Sequence, residues 1–69
     1  MNDTQRVKFG QMVKATRKKV GMTQEELANN AAVKVSTLQK IEKGSFNVSL
    51  DLINRLAAVM GGEVTITIS

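Results

Sequence analysis

Residues 23–44 read TQEELANNAAVKVSTLQKIEKG, and their caps, apolar spacing and charges describe two short helices joined by a tight turn. Thr23 and Glu26 are spaced so that the Thr hydroxyl can accept from the backbone N–H of Glu26 while the Glu carboxylate accepts from the N–H of Thr23. This capping box predicts a helix over about Gln24 to Ala31. Leu27, Ala28 and Ala31 share one of its faces. After Ala32 and Val33 the apolar positions resume at Leu38 and Ile41, and Gly44 stops a second helix over about Val35 to Lys43. The two apolar faces are expected to meet across the bend. The second helix turns outward Lys34, Val35, Ser36, Gln39, Lys40 and Lys43, a set of cations, amides and hydroxyls suited to phosphates and base edges. Such a unit is expected to read DNA.

On the N-terminal side, the spacing predicts a helix from about Thr4 to Val20, with Asp3 or Thr4 as N-cap and Gly21 as its stop. Phe9, Val13, Thr16 and Val20 form its apolar stripe. Gly10 beside that stripe costs roughly 1 kcal/mol in helix propensity, which predicts another helix packed close against it. On the C-terminal side, the loop 44–48 leads to Ser49 as an N-cap, and Leu50, Ile53, Leu56, Ala57 and Met60 make the inner face of a fourth helix. Met12, Met22 and Met60 are expected as core or dimer-seam filler. Phe46 packs under its loop or meets a partner subunit.

After Gly61-Gly62 the period changes. Glu63-Val64-Thr65-Ile66-Thr67-Ile68-Ser69 alternates polar and β-branched apolar residues, the pattern of a half-buried strand. A strand with no second strand in its own chain has unpaired N–H and C=O groups. Antiparallel pairing with its own copy in a twofold homodimer is the simplest closed arrangement, with Val64, Ile66 and Ile68 as the dimerisation residues.

With 69 residues the chain is expected to form one domain, near the lower size at which a single core holds a fold unaided. It contains neither Cys nor His, which removes disulfides, thiolate zinc sites and the commonest remaining metal ligand and acid-base catalyst. No metal and no cofactor is expected. Glu25 and Glu26 are adjacent and diverge on a helix, Ser36 has no base to activate it, and no Gly-rich phosphate loop is present, so no enzyme class fits. Neither a membrane span nor a signal peptide is discernible, and a cytoplasmic location is expected. The net charge is +4 and the pI about 9.9, with Arg6, Lys8, Lys14, Arg17, Lys18 and Lys19 set against Asp3 alone in residues 1–20. Combined with the helical pair, this favours a polyanionic partner, double-stranded DNA above all.

Residues 9–60 resemble the Xre/Cro-like phage-repressor helix-turn-helix domains. The resemblance is carried by Phe9-Gly10, Arg17, Gly21 to Ala28, Ser36-Thr37-Leu38, Ile41-Glu42-Lys43-Gly44 and Ser49-Leu50. It implies a mainly all-α, four-helix lambda-repressor-like fold, to which the C-terminal strand would be added. It also implies that Gln24 clamps a phosphate at the first helix of the pair, while Lys34, Val35, Ser36, Gln39 and Lys40 occupy the base-reading positions. Gln would suit adenine N6/N7, Lys guanine O6/N7, and Val35 a thymine methyl. Thr37, Lys43 and Ser45 would meet the backbone. Arg17 and Glu42 match a pair that bridges the first and third helices. There are two departures. Ala32 stands where the family usually has Gly, at a cost on the order of 1 kcal/mol if φ is positive there. Lys34 stands at the cap of the recognition helix with no acceptor to offer.

The ending is similar to that of HipB-like antitoxins, whose C-terminal strands form an intersubunit ribbon. The expected function is therefore a homodimeric, sequence-specific repressor on an inverted-repeat operator; the ending favours an antitoxin and autorepressor with a toxin partner, and a phage-type or operon regulator without one is the close alternative. A helix-turn-helix scaffold used for protein interaction is the reading from another class.

Overall fold

The computed structural model describes residues 2–61. Among these, four α-helices follow one another: α1 Asp3–Lys19, α2 Gln24–Asn30, α3 Val35–Glu42 and α4 Leu50–Val59. The fold is thus mainly all-α. The expected strand 63–69, with Val64, Ile66 and Ile68, lies outside the described residues.

Three of the four helix starts carry a side-chain cap, though not always where expected. α1 begins one residue early, at a capping box in which Asn2 accepts from the Gln5 N–H at 2.8 Å and Gln5 accepts from the Asn2 N–H at 2.9 Å. Only this pair is reciprocal, so it outcompetes Asp3 or Thr4 as cap, and Asp3 lies instead in the first turn, where the helix dipole favours an anion. The predicted box at α2 is present, with Glu26 N–H to Thr23 Oγ1 at 3.1 Å and Thr23 N–H to Glu26 Oε1 at 3.0 Å. Ser49 caps α4 by accepting from the Leu52 N–H at 3.2 Å. At α3 the N-cap is Lys34, which makes no side-chain cap bond.

The ends of α1, α2 and α3 share one device. Met22 N–H reaches Arg17 O, Val33 N–H reaches Ala28 O and Ser45 N–H reaches Lys40 O, each the long bond of a Schellman motif. The left-handed residue this requires is Gly21 after α1 and Gly44 after α3, both at φ 78°, but Ala32 after α2 at φ 57°. Among the described residues Ala32 alone takes a positive φ with a side chain.

Phe9, Val13, Leu27, Ala28, Ala31, Leu38, Ile41, Leu52, Ile53, Leu56 and Met60 close into a single buried cluster. Met12, Met22 and Phe46 pack against it as partly buried filler, so Phe46 covers the core from its loop. Two inner faces differ from expectation. In α1 the buried positions are Phe9, Gly10, Val13 and Arg17, while Val20, beyond the end of the helix, is 40% exposed. In α4 Leu52 is buried and Leu50 is 67% exposed. At about 100° per residue Leu52 lies roughly 40° from the central Leu56, whereas Leu50 lies roughly 120° away. α3 packs on both α1 and α2, and α4 packs on α2. The consequence is a short α3 held from behind, with its other side open.

Candidate nucleic-acid interface

The inner side of α3 is set by Leu38 and Ile41, both buried. Counting about 100° per residue from there, Val35, Ser36, Gln39, Lys40 and Lys43 fall within an arc of roughly 140° on the opposite side. Ser36, Gln39, Lys40 and Lys43 are exposed and Val35 is half-buried at the edge of the core. The structure therefore brings these five together. Lys34 is exposed at the head of the helix, and Thr37 is half-buried on the flank that turns toward the core. Ser45 lies beyond the C-terminus, with its N–H and its hydroxyl both donating to the Lys40 carbonyl, at 3.0 Å and 3.2 Å. It closes the end of α3.

The electrostatics of this side are one-signed. The acid of α3 is Glu42, whose side chain is only 4% exposed and is engaged from two elements. Arg17 Nε donates to Glu42 Oε2 at 2.7 Å and Arg17 Nη2 to Oε1 at 3.1 Å, while Gln24 Nε2 donates to the same Oε1 at 3.2 Å. Arg17 Nη1 donates to the Met22 carbonyl at 2.9 Å, so one guanidinium ties α1, the loop before α2 and α3 together. The hydrogen bond to Glu42 raises the Arg17 pKa above its usual value, against the opposing effect of burial. With Glu42 neutralised inside, Lys34, Lys40 and Lys43 set the field over the outer side of α3. Lys34 also adds a cation at the positive end of the helix dipole, which does nothing for the helix and favours an anionic ligand.

Gln24 sits at the first position of α2, but its amide turns back to Glu42. Its place on the bridge adds a third donor to a buried carboxylate. No such contact follows from the capping pattern that located the residue.

A further cation does not stand out from sequence spacing. Arg55 on α4 sends Nη1 to the carbonyls of Ala31 and Ala32, at 3.3 Å and 3.2 Å, and its Nε pairs with Asp51 at 3.1 Å. A signal for it does exist. α2 has no basic residue in its last turn, so the negative end of its dipole needs a cation from elsewhere in the fold. Arg6 likewise reaches from α1 to the Asn47 side chain at 2.8 Å, fastening the loop after α3.

Among the described residues no group of acidic, His or Cys side chains is arranged to hold a metal ion, and no helix is long and apolar enough to cross a membrane.

Comparison with known proteins agrees with this architecture. A helix-turn-helix family model matches residues 13–66. Two uncharacterized HTH-type transcriptional regulators, from Methanothermobacter thermautotrophicus and Archaeoglobus fulgidus, are each 40% identical over 52 residues, 75% of this chain and 75% and 74% of theirs. The crystal structure of the restriction-modification controller protein C.AhdI from Aeromonas hydrophila matches with a TM-score of 0.82 at 36% identity, covering 84% of this chain and 88% of that one. With its buried bridge, its tight α2–α3 turn and the family model spanning most of its length, the chain belongs to the helix-turn-helix family of transcriptional regulators.

Proposed function

We propose that the chain is a sequence-specific repressor that binds double-stranded DNA as a homodimer, with one α3 in the major groove of each half of an inverted repeat. The observation that carries this is the arc of Ser36, Gln39, Lys40 and Lys43, exposed together on the side of α3 opposite Leu38 and Ile41. Gln39 and Lys40 supply donors and acceptors for base edges, and Lys34 and Lys43 supply charge for phosphates. Thr37 and Ser45 would meet the backbone. Gln24 would meet a phosphate by exchanging its bond to Glu42 for one to the nucleic acid. The 63–69 segment, through Val64, Ile66 and Ile68, joins the two copies.

Selection of bound sequences from a random duplex pool tests the proposal. Enrichment of an inverted repeat, with affinity falling steeply as salt rises, is the expected result. A pool that stays random after several rounds leaves the protein-interaction scaffold as the better reading.

Of the two repressor readings, the 36% identity to a restriction-modification controller favours an operon regulator over an antitoxin with a toxin partner. Copurification of a second protein at constant stoichiometry from the native source would reverse that preference.

A further inference from the structure

The turn between α2 and α3 sets how the recognition helix is presented, and it is built against local preference. The turns after α1 and α3 place Gly at the left-handed position, whereas this one places Ala32, whose Cβ crowds the backbone there. Its α2 carbonyls also end without a local cation. Both deficits meet at one side chain. The Nη1 of Arg55 donates to the carbonyls of Ala31 and Ala32 at once, at 3.3 Å and 3.2 Å, and Asp51 holds the other edge of the guanidinium at 3.1 Å. Two carbonyls converge on one N–H donor group only while the chain bends as it does here. If Ala32 relaxed to an extended or right-handed conformation, its carbonyl would rotate away and the charge-assisted bond would be lost.

We propose that Arg55 is a positioning residue, a clamp from α4 that keeps the α2–α3 turn in its left-handed form and so fixes the angle at which α3 meets DNA. This rests on α3 being the DNA-reading helix. The polar partners of Arg55 are Ala31, Ala32 and Asp51, none of them a proposed base-reading residue, so its effect runs through Ala32. Its side chain is 43% exposed and the buried side of α4 is Leu52, Ile53 and Leu56, so replacing it leaves the core filled.

The test is a cycle of Arg55→Met and Ala32→Gly, singly and together, in the full chain. Amide exchange of Val33, whose N–H bonds to the Ala28 carbonyl across the turn, is read beside Met22 and Ser45, which make the equivalent bonds at the other two turns. Arg55→Met is expected to speed Val33 exchange about tenfold or more, through the loss of the charge-assisted bonds to Ala31 and Ala32, and to leave Met22 and Ser45 unchanged. The same variant should reduce the ratio of affinity for a selected site to affinity for random duplex by a factor of about five or more. Ala32→Gly, which makes the left-handed form easy without a clamp, should restore both values in the double variant. Unchanged Val33 exchange, an equal rise at all three turns, or a loss as large with Ala32→Gly as without it would each overturn the proposal. The exchange readout needs no DNA. A parent without sequence preference would therefore remove the functional assignment and leave the clamp to be decided at Val33.

Discussion

Gly10 of α1 lies directly against the carbonyl of Ile41 in α3, so close that a Cβ there would overlap the Ile41 oxygen and sit 3.0 Å from that of Glu42. The two helices touch through backbone, and that contact brings Arg17 and Glu42 within reach of each other.

The sign of the Gly10→Ala effect separates helix propensity from packing. Propensity alone would make Ala the better residue by roughly 1 kcal/mol. The obstruction is backbone, which cannot turn aside, and pushing α1 away from α3 should cost about 1 to 3 kcal/mol. A net loss of stability in urea denaturation is the expected outcome, and a gain would mean that the helices have room to separate.

Arg17→Met should destabilise the fold by about 3 to 5 kcal/mol, because it leaves the Glu42 carboxylate buried with Gln24 as its remaining side-chain donor. Adding Glu42→Gln to the same chain removes the stranded charge and should recover a good part of the loss. The cycle is read by denaturant unfolding at pH 7. Equal losses in the single and the double variant would show that Arg17 acts by packing its stem rather than by pairing.

Ala32→Gly alone should stabilise the chain by about 0.5 to 1 kcal/mol, the relief of a left-handed Ala less the extra backbone entropy of Gly. Thermal unfolding should show a midpoint a few degrees higher, roughly as expected for a domain of this size. A lower midpoint would mean that the Ala32 methyl makes contacts worth more than its strain.

Much of this arrangement is legible in the amino-acid sequence, because it is encoded locally. Thr23 and Glu26 are close along the chain and need only each other, and Leu27, Ala28, Leu38 and Ile41 repeat at a helical period. The left-handed position of Ala32 is implied by the family resemblance, in which Gly usually stands there, and Ala32 does take φ 57°. The features that sequence spacing does not reveal depend on competition or distance. Asn2 displaces Asp3 as cap because Gln5 can answer it, and Leu50 has a helical spacing to Ile53 although Leu52 lies closer to the axis of burial. Arg55 and the inward turn of Gln24 belong to contacts between elements, which periodicity does not carry. The roles of Gln39, Lys40 and their neighbours rest on the family resemblance together with chemistry and exposure, since a solvated face and a reading face present the same side chains until DNA is offered.

Lys40→Ala and Gln39→Ala, both on the exposed arc of α3, should weaken binding to a selected site by roughly 1 to 3 kcal/mol and relax preference at one or two base pairs. Lys43→Ala should lower affinity for every duplex alike and flatten the salt dependence. Titrations against selected and scrambled duplexes at two salt concentrations separate the two patterns. If the Lys40 and Gln39 variants, both shown to be folded, keep the parent's affinity and selectivity, α3 is not the reader.

Removal of Glu63 to Ser69 tests the homodimer. Val64, Ile66 and Ile68 alternate with polar residues, and their backbone groups find no second strand in the sequence of their own chain, so under the proposed arrangement they are paired and covered by the other copy. α1 to α4 have their own buried cluster and should persist without the segment. The truncated chain is therefore expected to sediment as a monomer with helicity close to that of the parent. Operator affinity should fall by a factor of about a hundred or more, because two linked half-sites become two independent ones. Protection on an inverted repeat should shrink from two half-sites centred about 34 Å apart to weak occupancy of either one. A truncated chain that remains dimeric would move the interface elsewhere, with the exposed Leu50 at the head of α4 as the first place to look. A monomeric parent that still binds a single asymmetric site tightly would remove the twofold mechanism altogether.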